Sequence, residues 1–436
     1  MTVHRTIQKP LAALGLLCAT VSHGQVADPI AQSPLNYRHY LGHVVQQHPS
    51  VQAALNQIES AQQDVVGAKW QFGPTPSIGA ERSNNPPANT LTDRRTSFAR
   101  LQQPLWTGGR LTAQLDRAQA QETIARLTME EQRLTLSTRW LQLWTDVQAA
   151  DLKVQAFADS EDQHRKYVQQ VQSRVEEGYA PRSDVQLSLT RLAAVQAELE
   201  QARTQKRQAV SKLEQMHGAP LPVNAMQWTA PLQAAPAQRT ALQRTASEWL
   251  IEVQDKHPSL QKAAVTALVV KADVELAKSK SAPELYVRGE ILNGDVTHTT
   301  RQIYVGVSSN FGAGLSVLST IAAAQAKLDA QEHETEARRR DIAEQVLTDV
   351  ESLESQTQRL RYLEQASSSA DEFLQSSERQ FVAGRKSWQE LMNTAREKAQ
   401  TLSQLADAKS FQWLSQQRLH LLSMGVEDYL NNSTKP

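Results

Sequence analysis

The sequence predicts a mainly α chain with a small β part, built as an internal duplication in which each half carries one very long helix. Three observations carry this prediction. Residues 110–177 and 315–383 contain neither Gly nor Pro. Helix interiors disfavour Gly by about 1 kcal/mol and Pro by about 3 kcal/mol, so each run reads as one helix. At about 1.5 Å per residue such a helix reaches about 100 Å, whereas an ordinary globular helix has about 11–12 residues. Landmarks also recur at a fixed distance. Gly108 and Gly314 stand 206 residues apart, as do Gly178 and Gly384, and His48-Pro49-Ser50 returns as His257-Pro258-Ser259 at an offset of 209. A period of this size is too long for a solenoid unit and means a duplicated half-molecule. Finally, short stretches with strand-like alternation precede each long run.

The first 24 residues read as a secretory leader. His4, Arg5 and Lys9 precede the apolar run Leu11 to Val21, and Ser22-His23-Gly24 supplies small residues before a cut near Gly24–Gln25. The alternative is a buried N-terminal helix. The single cysteine, Cys18, lies in this segment behind Leu16-Leu17; a lipid-attachment site wants a small residue there, so no lipid anchor and no thiol chemistry are expected.

The first half is assigned to 25–245. A helical pattern runs from Tyr37 to Phe72, with His48-Pro49 near a helix start, until Gly73-Pro74-Thr75-Pro76 breaks it. Two β candidates follow, about 77–83 and 96–105, separated by the polar turn Asn84 to Asn89. Arg82 and Gln103 fall where their alternation calls for apolar residues. After the first long helix comes a second from about Pro181 to His217. The prolines 220, 222, 231 and 236 then mark a linker.

The second half, 246–436, repeats the order. A helix runs from about Pro258 to Ser281 before the strands. In the first, Leu285, Val287, Gly289 and Ile291 alternate with Glu284, Tyr286, Arg288 and Glu290. In the second, Ile303, Val305, Val307 and Phe311 alternate with Gln302, Tyr304, Gly306 and Ser308. Each strand therefore has one oily and one polar face. Behind a secretory leader this suggests a transmembrane barrel. Four strands cannot close one, since the smallest have eight, so several chains must contribute. Three chains supply twelve strands.

The long runs carry coiled-coil spacing. Leu136, Leu143, Ala150, Phe157 and Val171 form one seven-residue series, and Trp140, Val147, Val154, Val168 and Val175 another. Glu161 and His164 interrupt them. The expected partner is the next helix, where Val185, Leu192, Leu199 and Leu213 keep the period. Trp140 and Trp144 are read as core rather than as an aromatic ligand site.

Composition excludes other classes. Lys+Arg and Asp+Glu both total 46, so no net field favours nucleic acid. No apolar stretch beyond the leader reaches the length of a membrane-spanning helix. Gly384-Arg385-Lys386-Ser387 lacks the upstream glycine spacing and strand of a phosphate loop. His39 and His43 can share a helix face, but spacing offers no third metal ligand. Arg338-Arg339-Arg340, among Glu332, Glu334, Glu336 and Asp341, reads as a solvated face. No nucleophile–base pattern is present, so neither enzyme activity nor a cofactor is expected.

Duplicated halves of helix, two strands, very long helix, turn and helix resemble the TolC family of outer-membrane channel proteins over about residues 35–425. Gln103-Pro104-Leu105-Trp106-Thr107-Gly108-Gly109-Arg110 is similar to the family's strand-to-helix junction, echoed by Asn310 to Leu315 with Gly312 and Gly314. Gly178 to Val185 and Gly384 to Leu391 are similar to its paired tip turns. The resemblance implies a TolC-like trimeric α/β barrel. A twelve-stranded outer-membrane β-barrel, four strands per protomer, would continue as a long α-helical coiled-coil tunnel across the periplasm. It implies a homotrimer in outer-membrane lipid that docks tip to tip on a periplasmic adaptor (membrane fusion) protein joined to an inner-membrane ABC or RND transporter.

Gly178 and Gly384 are then adaptor-docking points, or simply turn glycines. Asp184 and Glu390, at matching places, are either entrance acids or ordinary helix-start carboxylates. The family's entrance latch falls here on Phe381, Lys386 and Asp184, beside Ser183. Phe381 lacks the hydroxyl the latch uses, and Lys386 cannot pair bidentately as Arg does. A further acidic position falls on Asn393, leaving Glu390. A weakly latched, less cation-attracting entrance follows, and charge reversal at Asp184 or Lys386 is expected to raise conductance. The junction looks most like the type I secretion branch, which exports large proteins such as adhesins. Drug efflux is the runner-up, and a periplasmic coiled-coil scaffold without a pore the rival of another class.

Overall fold

The computed structural model describes residues 37–82, 95–222, 228–229, 232, 244–294, 298–309 and 316–431. The leader with Cys18, the turn at 84–89, linker residues Pro231 and Pro236, and Phe311, Gly312 and Gly314 lie outside the described residues. In chain order the elements are α1 (Tyr37–Gln47), α2 (Pro49–Trp70), β1 (Thr75–Arg82), β2 (Arg95–Trp106), α3 (Arg110–Glu176) and α4 (Arg182–His217). Then come α5 (Ala246–Lys256), α6 (Pro258–Ser279), β3 (Glu284–Gly294), β4 (His298–Ser308), α7 (Ser316–Val382), α8 (Trp388–Met424) and α9 (Val426–Asn431). The two long helices have 67 residues each.

The repeated His-Pro-Ser triplet is a helix cap. Pro49 and Pro258 sit in the first turn, where a missing N–H costs nothing, and His48 and His257 each accept a bond from the backbone N of Ser50 and Ser259 at 3.2 Å. The stretch expected as one helical pattern from 37 to 72 is therefore two helices broken at His48. Helices α5 and α9 were not anticipated. α5 begins with a reciprocal capping box between Thr245 and Glu248.

The long helices are shared walls. α2 and α4 both pack on α3, while α6 and α8 each pack against both α3 and α7. The heptad series of α3 is buried at Leu136, Trp140, Leu143, Val147, Ala150, Val168 and Val171. Its partner is α4, as expected, but also α8, because a helix this long meets different neighbours along its length. Trp140 and Trp144 join Tyr37, Leu41, Leu213, Trp228, Trp413 and Tyr429 in the largest core. Tyr37 and Tyr429 hydroxyls meet Gln417 Oε1 at 3.0 and 2.7 Å within it. A second core gathers Tyr167, Val168, Val171, Leu374, Phe381, Trp388, Leu391 and Met392 beside the turns that end α3 and α7.

The polar breaks in the seam are satisfied. Glu161 accepts from Gln196 Nε2 at 2.9 Å, and the His164 ring nitrogen meets the Ser160 carbonyl at 2.7 Å. Lys206, the gap in the α4 series, pairs with Asp151 at 2.6 Å.

The four strands form one antiparallel sheet in the order β1-β2-β3-β4. Its centre is the non-local pair β2–β3, which joins the two halves, for example Arg100 opposite Glu290 and Leu101 opposite Gly289. Among the described residues no helix is long and apolar enough to cross a membrane.

Candidate functional site

Register fixes which side chains share a face of the sheet. Ile78 pairs with Ala99, Ala99 with Ile291, and Ile291 with Arg301. Stepping by two residues puts Ile78, Ala99, Leu101, Leu285, Val287, Ile291, Ile303, Val305 and Val307 on one side. Those apolar side chains meet little: Ile78 is 87% exposed, Ile303 82% and Val305 72%. No Asp or Glu stands on this face among the described residues.

The opposite face is charged and aromatic. Glu290 is buried between Arg100, at 2.5 Å, and Arg288, at 3.7 Å. The Arg100 guanidinium lies 3.7 Å from the Phe98 ring centroid, and that of Arg288 4.9 Å from Tyr304. Phe98 and Tyr286 cover Gly79 and Gly306 so closely that an added Cβ would lie 2.4 and 2.5 Å from the rings. One face thus suits lipid and the other a polar lumen.

Arg82 sits at the far end of the apolar band, whereas Gln103 pairs with Val287 inside it, one row short of Leu285 and Val307. Gln103 Nε2 donates to the carbonyls of Phe72 and Pro104, both at 2.8 Å, and Arg82 closes the far end of β1. At the helix-proximal end Trp70, Phe72, Leu105 and Trp106 are all exposed, as side chains at a membrane–water boundary are.

The strand-to-helix junction is built around Pro104, Gly108 and Gly109. The β2–β3 register slips between Pro104 and Trp106, turning the strand end toward α3. Gly108 has φ +59° and packs on Ala282 so tightly that an added Cβ would lie 2.2 Å from the Ala282 Cβ. Gly109, φ +87°, caps α3. Arg110 Nε then bonds Glu284 Oε1 at 2.7 Å and ties the start of α3 to β3.

At the other end both turns have the same form. Tyr179 N donates to Arg174 O at 2.8 Å and Gly178 N to Val175 O at 3.1 Å; Arg385 N donates to Gln380 O at 2.9 Å and Gly384 N to Phe381 O at 3.0 Å. These are Schellman caps, which need a left-handed residue after the helix. Gly178 and Gly384 supply it with φ +80° and +71°, and nothing lies within 4 Å of an added Cβ.

Three links clasp the two turns. Trp388 Nε1 donates to Asp184 Oδ2 at 2.9 Å. Arg174 Nη2 donates to Phe381 O at 2.7 Å, its guanidinium 4.0 Å from the Phe381 ring centroid. Tyr167 donates to Glu378 at 2.5 Å, and burial together with that bond pushes the phenol's pKa up. Of the three residues assigned to the latch, Asp184 does meet the second turn, but through Trp388. Lys386 instead donates to Ser377 Oγ at 2.8 Å and lies 4.3 Å from the Phe373 ring centroid. Phe381 is buried, whereas Ser183, Glu390 and Asn393 are exposed. The Glu390 backbone N is capped by Ser387 Oγ at 3.2 Å. Sequence reading missed Trp388, because its indole N–H meets Asp184 only across a separation of 204 residues.

His43 lies against another histidine. Its ring lies 4.7 Å from that of His217, and no group of three candidate metal ligands occurs among the described residues.

The profile of the family described as outer membrane efflux protein matches residues 41–219 and 249–423. Among solved structures, the outer-membrane channel OprN superposes with a TM-score of 0.76 at 14% identity, covering 90% of each chain. The outer membrane protein VceC from Vibrio cholerae gives 0.74 at 14% identity, covering 89% of this chain and 96% of that one. The Campylobacter jejuni CmeC outer membrane channel gives 0.72 at 11% identity, covering 90% and 86%. No curated protein matches the chain. At such identities the likeness is one of fold.

Proposed function

We propose, since this chain belongs to the outer membrane efflux protein family, that it is the exit duct of a tripartite export system. It is an outer-membrane transport protein of TolC-like fold and not an enzyme. In our reading three copies close a twelve-stranded barrel, and their long helices continue as a tunnel that meets a periplasmic adaptor bound to an ABC or RND transporter. The two repeats, 25–245 and 246–436, are the staves. One observation carries the reading: a sheet with an apolar exposed face and a charged opposite face runs directly, through Gly108 and Gly109, into a 67-residue helix. A membrane segment and a rod are thus one continuous body.

The capped turns at Gly178 and Gly384 are the docking points, and the Trp388–Asp184 clasp beside Ser183, Phe381, Lys386, Glu390 and Asn393 holds the entrance. For cargo we favour type I protein secretion, on the junction Gln103 to Arg110. Small-molecule efflux is the second reading, supported by the family description. The test is fractionation with outer membranes, a native mass of three chains and ion current in planar bilayers; a soluble single chain without current refutes the duct. Deleting the gene while scoring surface adhesin and drug susceptibility separates the cargoes.

A further inference from the structure

Close to the clasp, α3, α4 and α8 meet at one buried histidine. His164 is 1% exposed and interrupts the apolar seam of α3 one turn before Tyr167 and Val168, which belong to the core that holds Phe381 and Trp388. Its Nδ1 lies 2.7 Å from the Ser160 carbonyl on its own helix, and the ring also meets the Met392 backbone on α8. A neutral imidazole donates from one nitrogen only, whereas a protonated ring donates from both. Met392 and Arg396 stand in the first turns of α8, which begins at Trp388.

Two charged side chains face the ring, Glu198 of α4 and Arg396 of α8. They are already partners, with Arg396 Nη2 donating to Glu198 Oε1 at 3.1 Å. This pair is a second link between α4 and α8, besides Trp388 to Asp184. On α3 itself Glu161 accepts from Gln196 Nε2 at 2.9 Å and from Arg165 Nη2 at 2.6 Å, and Tyr167 is bonded to Glu378 of α7. The acid that faces the ring is therefore already balanced by Arg396. A proton on His164 would put two positive charges against one negative at a junction closed to water, and an uncompensated buried charge is costly.

Resting on the duct reading and its entrance at these turns, we propose that His164 makes the entrance acid-sensitive. Proton uptake by the ring drives the first turns of α8 away from α3 and α4, and Trp388 leaves Asp184 with them. The closed arrangement excludes the charge, and the open one lets water reach it. Burial first, with Arg396 adding to it, holds the closed ring's pKa below its ordinary value of 6.5 despite Glu198 and the two backbone contacts. The closed state is therefore favoured above 6.5 and loses ground as pH falls below it. One proton per chain shifts the balance by at most about tenfold per pH unit.

Amide protection over residues 178–188 and 381–396 and open probability in planar bilayers are measured on the full chain at pH 7.5, 6.5 and 5.5. Between pH 7.5 and 5.5 the unaltered chain is expected to lose protection and gain open probability by about threefold or more. His164→Gln keeps a donor for one carbonyl but takes up no proton, and it flattens both profiles. His420→Gln, at a histidine buried beside Trp249, keeps the rise. Hydrogen exchange at the ring carbon of His164 needs no variant, and it should give half-protonation below pH 6.5. Half-protonation at 6.5 or above, or an undiminished acid response in His164→Gln, overturns the proposal. Protection that falls with acid while no current flows at any pH sinks the duct reading alone. Current that flows with no acid dependence sinks the switch alone.

Discussion

The indole–carboxylate bond between the two turns gives the sharpest test of the entrance. Trp388→Phe keeps most of the apolar contact of a residue that is 8% exposed and deletes the N–H that meets Asp184 Oδ2 at 2.9 Å. A hydrogen bond to a charged group contributes about 1.5–3 kcal/mol. At about 1.4 kcal/mol per tenfold, that is roughly a 10- to 150-fold shift toward separated turns. Asp184→Asn keeps an acceptor but loses the charge, which removes about half the strength of such a bond, so its shift is smaller. Lys386→Met, whose wild-type ammonium faces Ser377 and Phe373, leaves the clasp in place. The assay pairs amide exchange over residues 178–188 and 381–392 with single-channel current. Exchange and open probability rise in the order Lys386→Met, Asp184→Asn, Trp388→Phe. If Trp388→Phe changes neither by more than twofold, or Lys386→Met exceeds it, the clasp does not hold the entrance.

Gly108→Ala forces a left-handed φ on alanine, about 1–2 kcal/mol, and adds overpacking of about 1–3 kcal/mol against Ala282. Gly178→Ala and Gly384→Ala meet open space and incur only the first cost, so thermal unfolding should rank Gly108→Ala as the most damaging. Burial lowers the pKa of His164, His257 and His420. The unfolded chain then takes up protons that the folded chain refuses. Stability is complete above the ordinary value of 6.5 and falls as pH drops below it, by up to about 1.4 kcal/mol per pH unit for each group. Unfolding temperatures at pH 7.5 and 5.5 show the drop, and His164→Gln should shrink it. Glu290→Gln leaves Arg100 and Arg288 without their carboxylate and should move the reversal potential in a salt gradient toward anion selectivity. An unchanged potential places these residues outside the conduction path.

What the chain order reveals depends on the reach of each interaction. The lengths of α3 and α7 are legible because a missing Gly or Pro acts on its own backbone, and both ends fall at the interrupting glycines. The capping triplets His48-Pro49-Ser50 and His257-Pro258-Ser259 are equally local. The clasp is not: Trp388 meets a carboxylate 204 residues away, and neither residue announces the other. Glu290 looked like one more polar strand residue until the 190-residue pairing with Arg100 buried it. The seam of α3 gave its apolar stripe and its sequence neighbour α4 but not α8, since heptads specify a face and not which distant helices lie on it. The short helices α5 and α9 offer too few turns for periodicity to register, although Thr245 and Glu248 marked one start.

Strands β1 and β4 are sheet edges with no partner strand among the described residues, and an exposed edge beside an apolar face invites pairing. Each chain brings four strands, so rings grow in steps of four. Two copies make an eight-stranded barrel, whose interior is just wide enough to be filled by its own side chains. Here the inward residues include Phe98, Arg100, Tyr286, Arg288 and Tyr304, which would plug it. Three copies give the first ring with room for a lumen beyond those groups, and the Arg–Glu pairs then line a passage instead of a core. In the proposed duct the bulk of those inward side chains, and not the strand count alone, would make three the smallest number of chains that leaves a passage.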